Sequence, residues 1–272
     1  MKKIKKNDIN LYDTITCGQI FRFIVNEKDY ILILSDRVVK LSEDDEYIYI
    51  TSSNEDDIEN IVSTFLGLSI DYDKINKELI LNDNTLESMI NDCKGFKIMN
   101  SPKFETIISY IISANNNVRN IQKCVNLLSE RYGKKIIFEE NTYYLFPTLE
   151  VFKTLTIEDL NDVKLGFRSK YIYEFVNSIT LDDIAKIDEM TTGDALTYLT
   201  SFKGIGLKIA SCILLFAYKR LDVFPIDTWV KKYMNDTYGI SDMKKIEAFT
   251  KEKYKDYSGL VIQYMFHSKR NK

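Results

Sequence analysis

The sequence predicts an α+β protein. A small N-terminal antiparallel β-sheet domain with flanking helices is expected over residues 1–95, followed by a larger all-helical domain over 96–272. Three observations predict it. Short β-branched and aromatic runs crowd residues 18–50. From about residue 55 the apolar spacing takes on the helical period. No repeat or low-complexity linker interrupts the remainder.

The strand runs are "FRFIV", "YILIL", "RVVKL" and "YIYI", separated by the polar "NEKD", "SD" and "SEDDE". They read as a meander of three or four antiparallel strands. "EDDIENIVSTFLG" opens on acids and closes at Gly67, as a helix does. "SPKFETIISYIISA" places Pro102 in a first turn and apolar residues at 104, 107, 108, 111 and 112. "NNNVRNIQKCVNLLSERYG" is a second amphipathic helix, entered through asparagines. Further helices are expected at about 149–155, 157–162, 169–178, 181–186, 191–201, 207–218, 228–237 and 243–266.

Composition narrows the chemistry. The chain has 272 residues, 45% hydrophobic and 28% charged, enough for a substantial core. No apolar run approaches a membrane span, and "MKKIKKNDIN" lacks the apolar segment of a secretory signal, so a cytoplasmic protein is expected. Cys17, Cys93, Cys124 and Cys212 are too scattered for a metal knuckle or a CxxC pair, and His267 is the single histidine. That argues against a histidine-rich zinc site and a Ser-His-Asp triad, and leaves lysine, carboxylates or hydroxyls. Net charge is −3, which argues mildly against a nucleic-acid partner, but it is unevenly spread. Residues 1–60 carry 8 basic and 13 acidic side chains, a net −5, whereas residues 200–272 carry 14 and 7, a net +7. A polyanion would meet the C-terminal third favourably; a solvated basic surface accounts for the same fact equally well.

"DALTYLTSFKGIGLKIASCILLFAY" reads as helix, tight turn, helix. Gly204 and Gly206 permit positive φ and close backbone approach. The N–H groups of a helix beginning near Leu207 would point into the turn as an anion nest suited to a phosphate; a glycine-closed corner between two helices is the plainer reading. Lys208 falls in the first turn of that helix, where the field disfavours a cation. With partial burial, both effects would favour the free amine, a nucleophile able to form a Schiff base with a sugar carbon. Nineteen residues on, in "VFPIDTWVKKY", Asp227 is a natural helix N-cap, and its carboxylate could also offset cationic charge.

"FKGIGLKIASC" followed by "FPIDTW" resembles the helix-hairpin-helix DNA glycosylase superfamily, whose pattern is a Gly-hydrophobic-Gly hairpin, a lysine two residues later and an aspartate about twenty residues on. Lys203 stands where a proline is common. No cysteine follows Cys212, so the iron–sulfur cluster of the endonuclease III-like branch is not expected. Alkylpurine branches usually lack the lysine. The remaining resemblance is to the 8-oxoguanine DNA glycosylase/AP lyase family, supported from about residue 11 to 270 by "TCGQIFRF", the Asn-Asn-Asn turn, "LGFRSKYI" and "YSGLVIQYMF".

The resemblance implies roles. Lys208 attacks the sugar C1′, Asp227 stabilises the developing positive charge, and the amides around Gly204 and Gly206 grip the DNA backbone. 8-Oxoguanine carries a hydrogen on N7 where guanine has an acceptor, so one acceptor separates them. Gly18 supplies it through its carbonyl. Cys212 and Phe266 stack on the flipped base. The family's glutamine usually stands one turn before that aromatic, but Ile262 is there and the glutamine is Gln263. Either Gln263 acts with Phe266, which is the reading adopted, or the helix is shifted and His267 stacks. Asn115 fills the hole left by the base, and Phe167 and Arg168 meet the orphaned partner base. For Gly18, Cys212, Phe266 and Asn115 an ordinary turn or core role remains open.

The expectation is thus a monomeric, bifunctional enzyme on duplex DNA containing 8-oxoguanine, with no metal, no cofactor and no membrane, nucleoid-associated in a prokaryote. The alternatives are a glycosylase for another modified purine and a non-catalytic helix-hairpin-helix DNA-binding module.

Overall fold

The computed structural model describes residues 1–270, with side chains as far as Ser268. The N-terminal part holds β1 (Lys2–Lys5), α1 (Leu11–Thr16), β2 (Phe23–Val25), β3 (Asp29–Ile33), β4 (Val38–Glu43) and β5 (Tyr47–Ser52). These strands form one antiparallel sheet in the order β1-β5-β4-β3-β2. The meander expected from residues 18–50 is β2 to β5, and β1 adds an edge that the charged "KKIK" did not advertise. Register places Leu32 opposite Val39 and Leu41 opposite Ile50. All four are fully buried, on a core completed by Ile58, Val62 and Phe65 of α2 (Ile58–Phe65) and by Leu11 and Ile15 of α1.

The helices that follow are α3 (Tyr72–Asn82), α4 (Glu87–Asp92), α5 (Lys103–Ile112) and α6 (Val118–Tyr132). A hairpin of β6 (Lys135–Phe138) and β7 (Asn141–Tyr144) then interrupts the domain expected to be all-helical. It covers the other face of the sheet, where Phe138, Ile136 and Tyr143 pack on Ile31 and Val38. Next come α7 (Leu149–Thr154), α8 (Ile157–Asp162), α9 (Arg168–Ser178), α10 (Leu181–Lys186) and α11 (Thr192–Thr200). The chain ends with α12 (Leu207–Ala217), α13 (Thr228–Tyr238), α14 (Met243–Lys253) and α15 (Ser258–Arg270). The second, larger core surrounds α12, whose residues Ile209–Ala217 are all buried, and includes Tyr72, Ile75, Leu79 and Ile90 of α3 and α4.

The single helix expected over 243–266 is broken. Tyr254 is fully buried, Lys255 takes φ +48, and a 3₁₀ turn at Lys255–Tyr257 leads into α15. The break lets Gly259 press against its surroundings: its N–H donates to Leu221 O at 2.6 Å, and a Cβ there would lie 2.7 Å from Leu215 Cδ1. Gly259 was the one local sign of a departure from the helical period.

Candidate active site

α11 and α12 meet at the turn over residues 202–206, as the spacing implied. The two glycines differ. Gly204 has φ +87, and a Cβ there would fall 2.5 Å from the Tyr171 ring, so only glycine fits. Gly206 is the helix N-cap with φ −87 and ψ 174, and a Cβ would meet nothing within 4 Å. Its expected positive φ is therefore not used; the fold itself does not demand glycine there. An exposed glycine ahead of free helix N–H groups leaves room for a partner's backbone to approach. Gly204→Ala is expected to destabilise the fold by about 1–3 kcal/mol. Gly206→Ala should melt like the parent and weaken duplex binding about tenfold, the scale of one charge-assisted hydrogen bond. Melting curves and duplex titrations of both variants check this.

Lys208 lies in the first turn of α12 and is exposed, not partly buried as expected. Asp227 caps α13, and its Oδ1 accepts the Val230 N–H at 2.9 Å. Lys208 and Asp227 both act on Cys212, one turn along α12. Burial pushes that thiol up to about 12; the Lys208 charge opposes the rise and the Asp227 charge adds to it. The thiol stays neutral and unreactive at ordinary pH, a soft apolar surface that feels both charges.

Gly18 follows α1 with φ +99, a backbone that strongly favours glycine. The next residue holds the loop in place. Gln19 Nε2 donates to Lys97 O at 2.8 Å, and its Oε1 accepts the Met99 N–H at 2.9 Å. The Tyr110 hydroxyl donates to Gln19 O at 3.4 Å, and its ring stacks on Phe216 of α12 at 5.7 Å and 18°. Burial raises the Tyr110 phenol, with Cys212 and Cys17 adding to the rise, so this residue bridges the Gly18 loop and the Cys212 helix.

On α15, Gln263 is 8% exposed and its side chain has no hydrogen-bond partner among the described residues. Its amide atoms are not among the buried, unpartnered ones, so they face solvent and are open to a ligand. Phe266 is half-buried and packs on Trp229 at 4.8 Å and 35°. Ile262 is fully buried. His267 turns the other way: its Nε2 lies 3.4 Å from Asp13 Oδ2 and its ring 5.0 Å from Phe96. It braces α15 against the N-terminal part and does not offer a face beside Phe266. Trp229 escaped the sequence reading, although a lone tryptophan two residues after Asp227 was a visible signal.

Asn115 is exposed with φ +50, in the turn before Asn117 caps α6. Phe167 is 54% exposed at the start of α9. Arg168 is buried beneath it, 4.5 Å from its ring, and ties the two loops together. Its guanidinium donates to Ala114 O and Asn115 O, each at 2.8 Å, and to Leu165 O at 3.2 Å. Three of five N–H groups are spent, leaving two. Lys203, in place of the usual proline, is paired with Glu174 at 3.3 Å. A recess of 480 Å³ beside Lys208 is lined in part by Ser211, Asp222, Glu247 and Lys251. Among the described residues no three His, Cys, Asp or Glu gather as a metal site would, and no helix is long and apolar enough to cross a membrane.

Residues 2–107 match the family model described as 8-oxoguanine DNA glycosylase, N-terminal domain, and residues 108–256 match that of the HhH-GPD superfamily base excision DNA repair protein. The chain belongs to the 8-oxoguanine DNA glycosylase family. Within that family it is similar to the apo-form of the Clostridium acetobutylicum 8-oxoguanine glycosylase/lyase, with 34% identity and a TM-score of 0.90 over 98% of this chain and 99% of that one. The same protein in complex with double-stranded DNA containing cytosine opposite 8-oxoguanine aligns at 33% identity and a TM-score of 0.89, over 100% and 98% of the two chains. The N-glycosylase/DNA lyase of Saccharomyces cerevisiae is 25% identical over 281 residues, covering 92% of this chain and 74% of that protein. The family's two parts thus account for the antiparallel sheet and the helical domain seen here.

Proposed function

We propose that this protein is a bifunctional DNA repair glycosylase that flips 8-oxoguanine from duplex DNA, excises it, and nicks the strand by β-elimination. The observation that carries the reading is Lys208 in the first turn of the hairpin helix and Asp227 at the cap of α13, both charges being felt at the buried Cys212 thiol. The Gly206 turn would take a backbone phosphate on the α12 N–H groups. The Lys208 amine bonds to C1′ as the bond from C1′ to the base breaks, and the base leaves with the electron pair and takes up a proton. Asp227 offsets the cationic charge on the sugar. The C1′–O4′ bond then opens, its oxygen taking the proton shed by the nitrogen, and the imine so formed acidifies C2′; loss of that proton expels the 3′ phosphate. Gly18 O accepts from the N7 hydrogen, Cys212 and Phe266 sandwich the ring, and Gln263 reads its outer edge. Asn115 fills the vacated stack and Phe167 wedges beside the orphaned base. In this reading the enzyme is a monomer that acts on cytoplasmic, nucleoid-associated DNA.

The test is release of 8-oxoguanine from a duplex by purified protein with no added metal or cofactor. Release of a different modified purine alone would favour the second reading, which the displaced Gln263 motivates. Binding with no release of any base would reduce the protein to a DNA-binding module.

The base opposite the lesion supplies a sharper expectation. Family members strict for cytosine usually carry an arginine five residues after the first asparagine of the turn. Here Asn120 stands there, and its Nδ2 donates to Asn116 Oδ1 at 2.9 Å. Arg168, with two N–H groups left, is the one arginine assigned to cytosine. Losing one bidentate contact of about 1–3 kcal/mol costs roughly ten- to a hundredfold of selectivity. Excision opposite adenine, guanine or thymine should therefore be readier than in strict members, and Asn120→Arg should restore part of the preference. Single-turnover excision on four duplexes checks it; a parent preference for cytosine above about a thousandfold would contradict it.

A further inference from the structure

One buried carboxylate gathers three elements. Asp83 follows α3 and is 9% exposed. Its Oδ1 accepts the Thr85 N–H at 3.1 Å and the Thr85 hydroxyl at 2.6 Å. Its Oδ2 accepts the hydroxyl of Tyr238, the last residue of α13, at 2.8 Å, and that of Tyr254, just beyond α14, at 3.2 Å. The two tyrosine oxygens are 3.0 Å apart. Burial raises the Asp83 carboxyl, but hydrogen bonds from Thr85, Tyr238 and Tyr254 outweigh it and leave it below the usual carboxylate range. The Lys255–Glu78 pair, at 3.4 Å, sits beside this knot.

The knot lies at the far end of the helix that Asp227 caps. α13 has 11 residues, so its ends are about 16 Å apart at 1.5 Å per residue. A continuous column of rings spans that length. Phe266 packs on Trp229 at 4.8 Å, Trp229 on Tyr233 at 5.7 Å, and Tyr233 on Tyr238 at 6.4 Å. Beyond Tyr238 the column runs to Phe249 at 4.7 Å and on to Tyr254 at 5.8 Å. The same carboxylate holds Tyr254, where the helix path turns into α15, the helix carrying Gln263 and Phe266. Packed interiors shift as units, so a tail freed from Asp83 re-aims the head.

We propose that Asp83 is a positioning residue for excision: through Tyr238 and Tyr254 it sets the seat of α13 and the entry of α15, and so the placement of Asp227 and of the Trp229–Phe266 pair. It rests on the glycosylase reading above for the reaction it serves, and on geometry alone for the placement. Misplacing catalytic groups by about 1 Å can cost roughly a hundredfold.

Tyr238→Phe removes one hydroxyl and keeps the ring. Single-turnover excision should fall about tenfold, with duplex affinity within about twofold of the parent and far-UV dichroism unchanged. Trp229 is the single tryptophan, so emission of the DNA-free protein reports the Phe266 contact, and it should shift. Tyr254→Phe should act in the same direction, and serves if the first variant does not fold. Unchanged emission in the folded variant overturns the proposal whatever base the enzyme takes; so does a parent-like excision rate. A purely structural knot would lower the melting temperature and move neither. Failure of the parent itself to excise 8-oxoguanine would sink the functional reading, while the emission would still decide this one.

Discussion

Lys208→Gln is expected to abolish base excision and imine formation together, by about 10⁴-fold or more, the scale on which loss of a covalent nucleophile is felt. Binding should survive. Lys208 is exposed and has no ion pair among the described residues, so its replacement leaves the core and the Gly204–Gly206 turn intact. Stability should stay within about 0.5 kcal/mol of the parent, as for surface substitutions generally. Lys203 is the nearest other amine along the chain, but it lies on the far side of the turn and is engaged by Glu174. Single-turnover assays and duplex titrations on the same preparation separate chemistry from binding. Retained excision would move the nucleophile elsewhere.

Asp227→Asn carries the second large effect. An asparagine oxygen caps a helix about as well as a carboxylate, so the bond to the Val230 N–H at 2.9 Å should persist and α13 should stay in place. The charge does not persist. If Asp227 stabilises a cationic sugar, excision should slow about 10²–10³-fold, the cost of removing one preorganised electrostatic group, with melting temperature near the parent's. Parent-like rates would leave Asp227 a cap and nothing more.

Local chemistry made much of this legible. The hairpin, the lysine and the capping aspartate lie within one short stretch, and the structure keeps them at the N-termini of α12 and α13. The meander and most helices followed from period and punctuation. What stayed hidden depends on distant contacts. β1 is strand because Ile4 and Ile48 are partners across the sheet, which "KKIK" cannot announce. The β6–β7 hairpin exists to cover Ile31 and Val38, a hundred positions upstream. The break after α14 answers to Asp83 as much as to Gly259. Arg168 shows the same limit: its place in the chain suggested an open hand, whereas its three carbonyl acceptors occupy most of its donors.

The central claim is that the Lys208 amine becomes covalently joined to the sugar of an 8-oxoguanine nucleotide. Borohydride reduction during incubation with an 8-oxoguanine duplex tests it most directly. The account predicts a stable protein–DNA adduct whose modified peptide contains Lys208, absent with an undamaged duplex and absent from Lys208→Gln. An adduct formed equally by Lys208→Gln, or excision of 8-oxoguanine with no adduct at all, would contradict it.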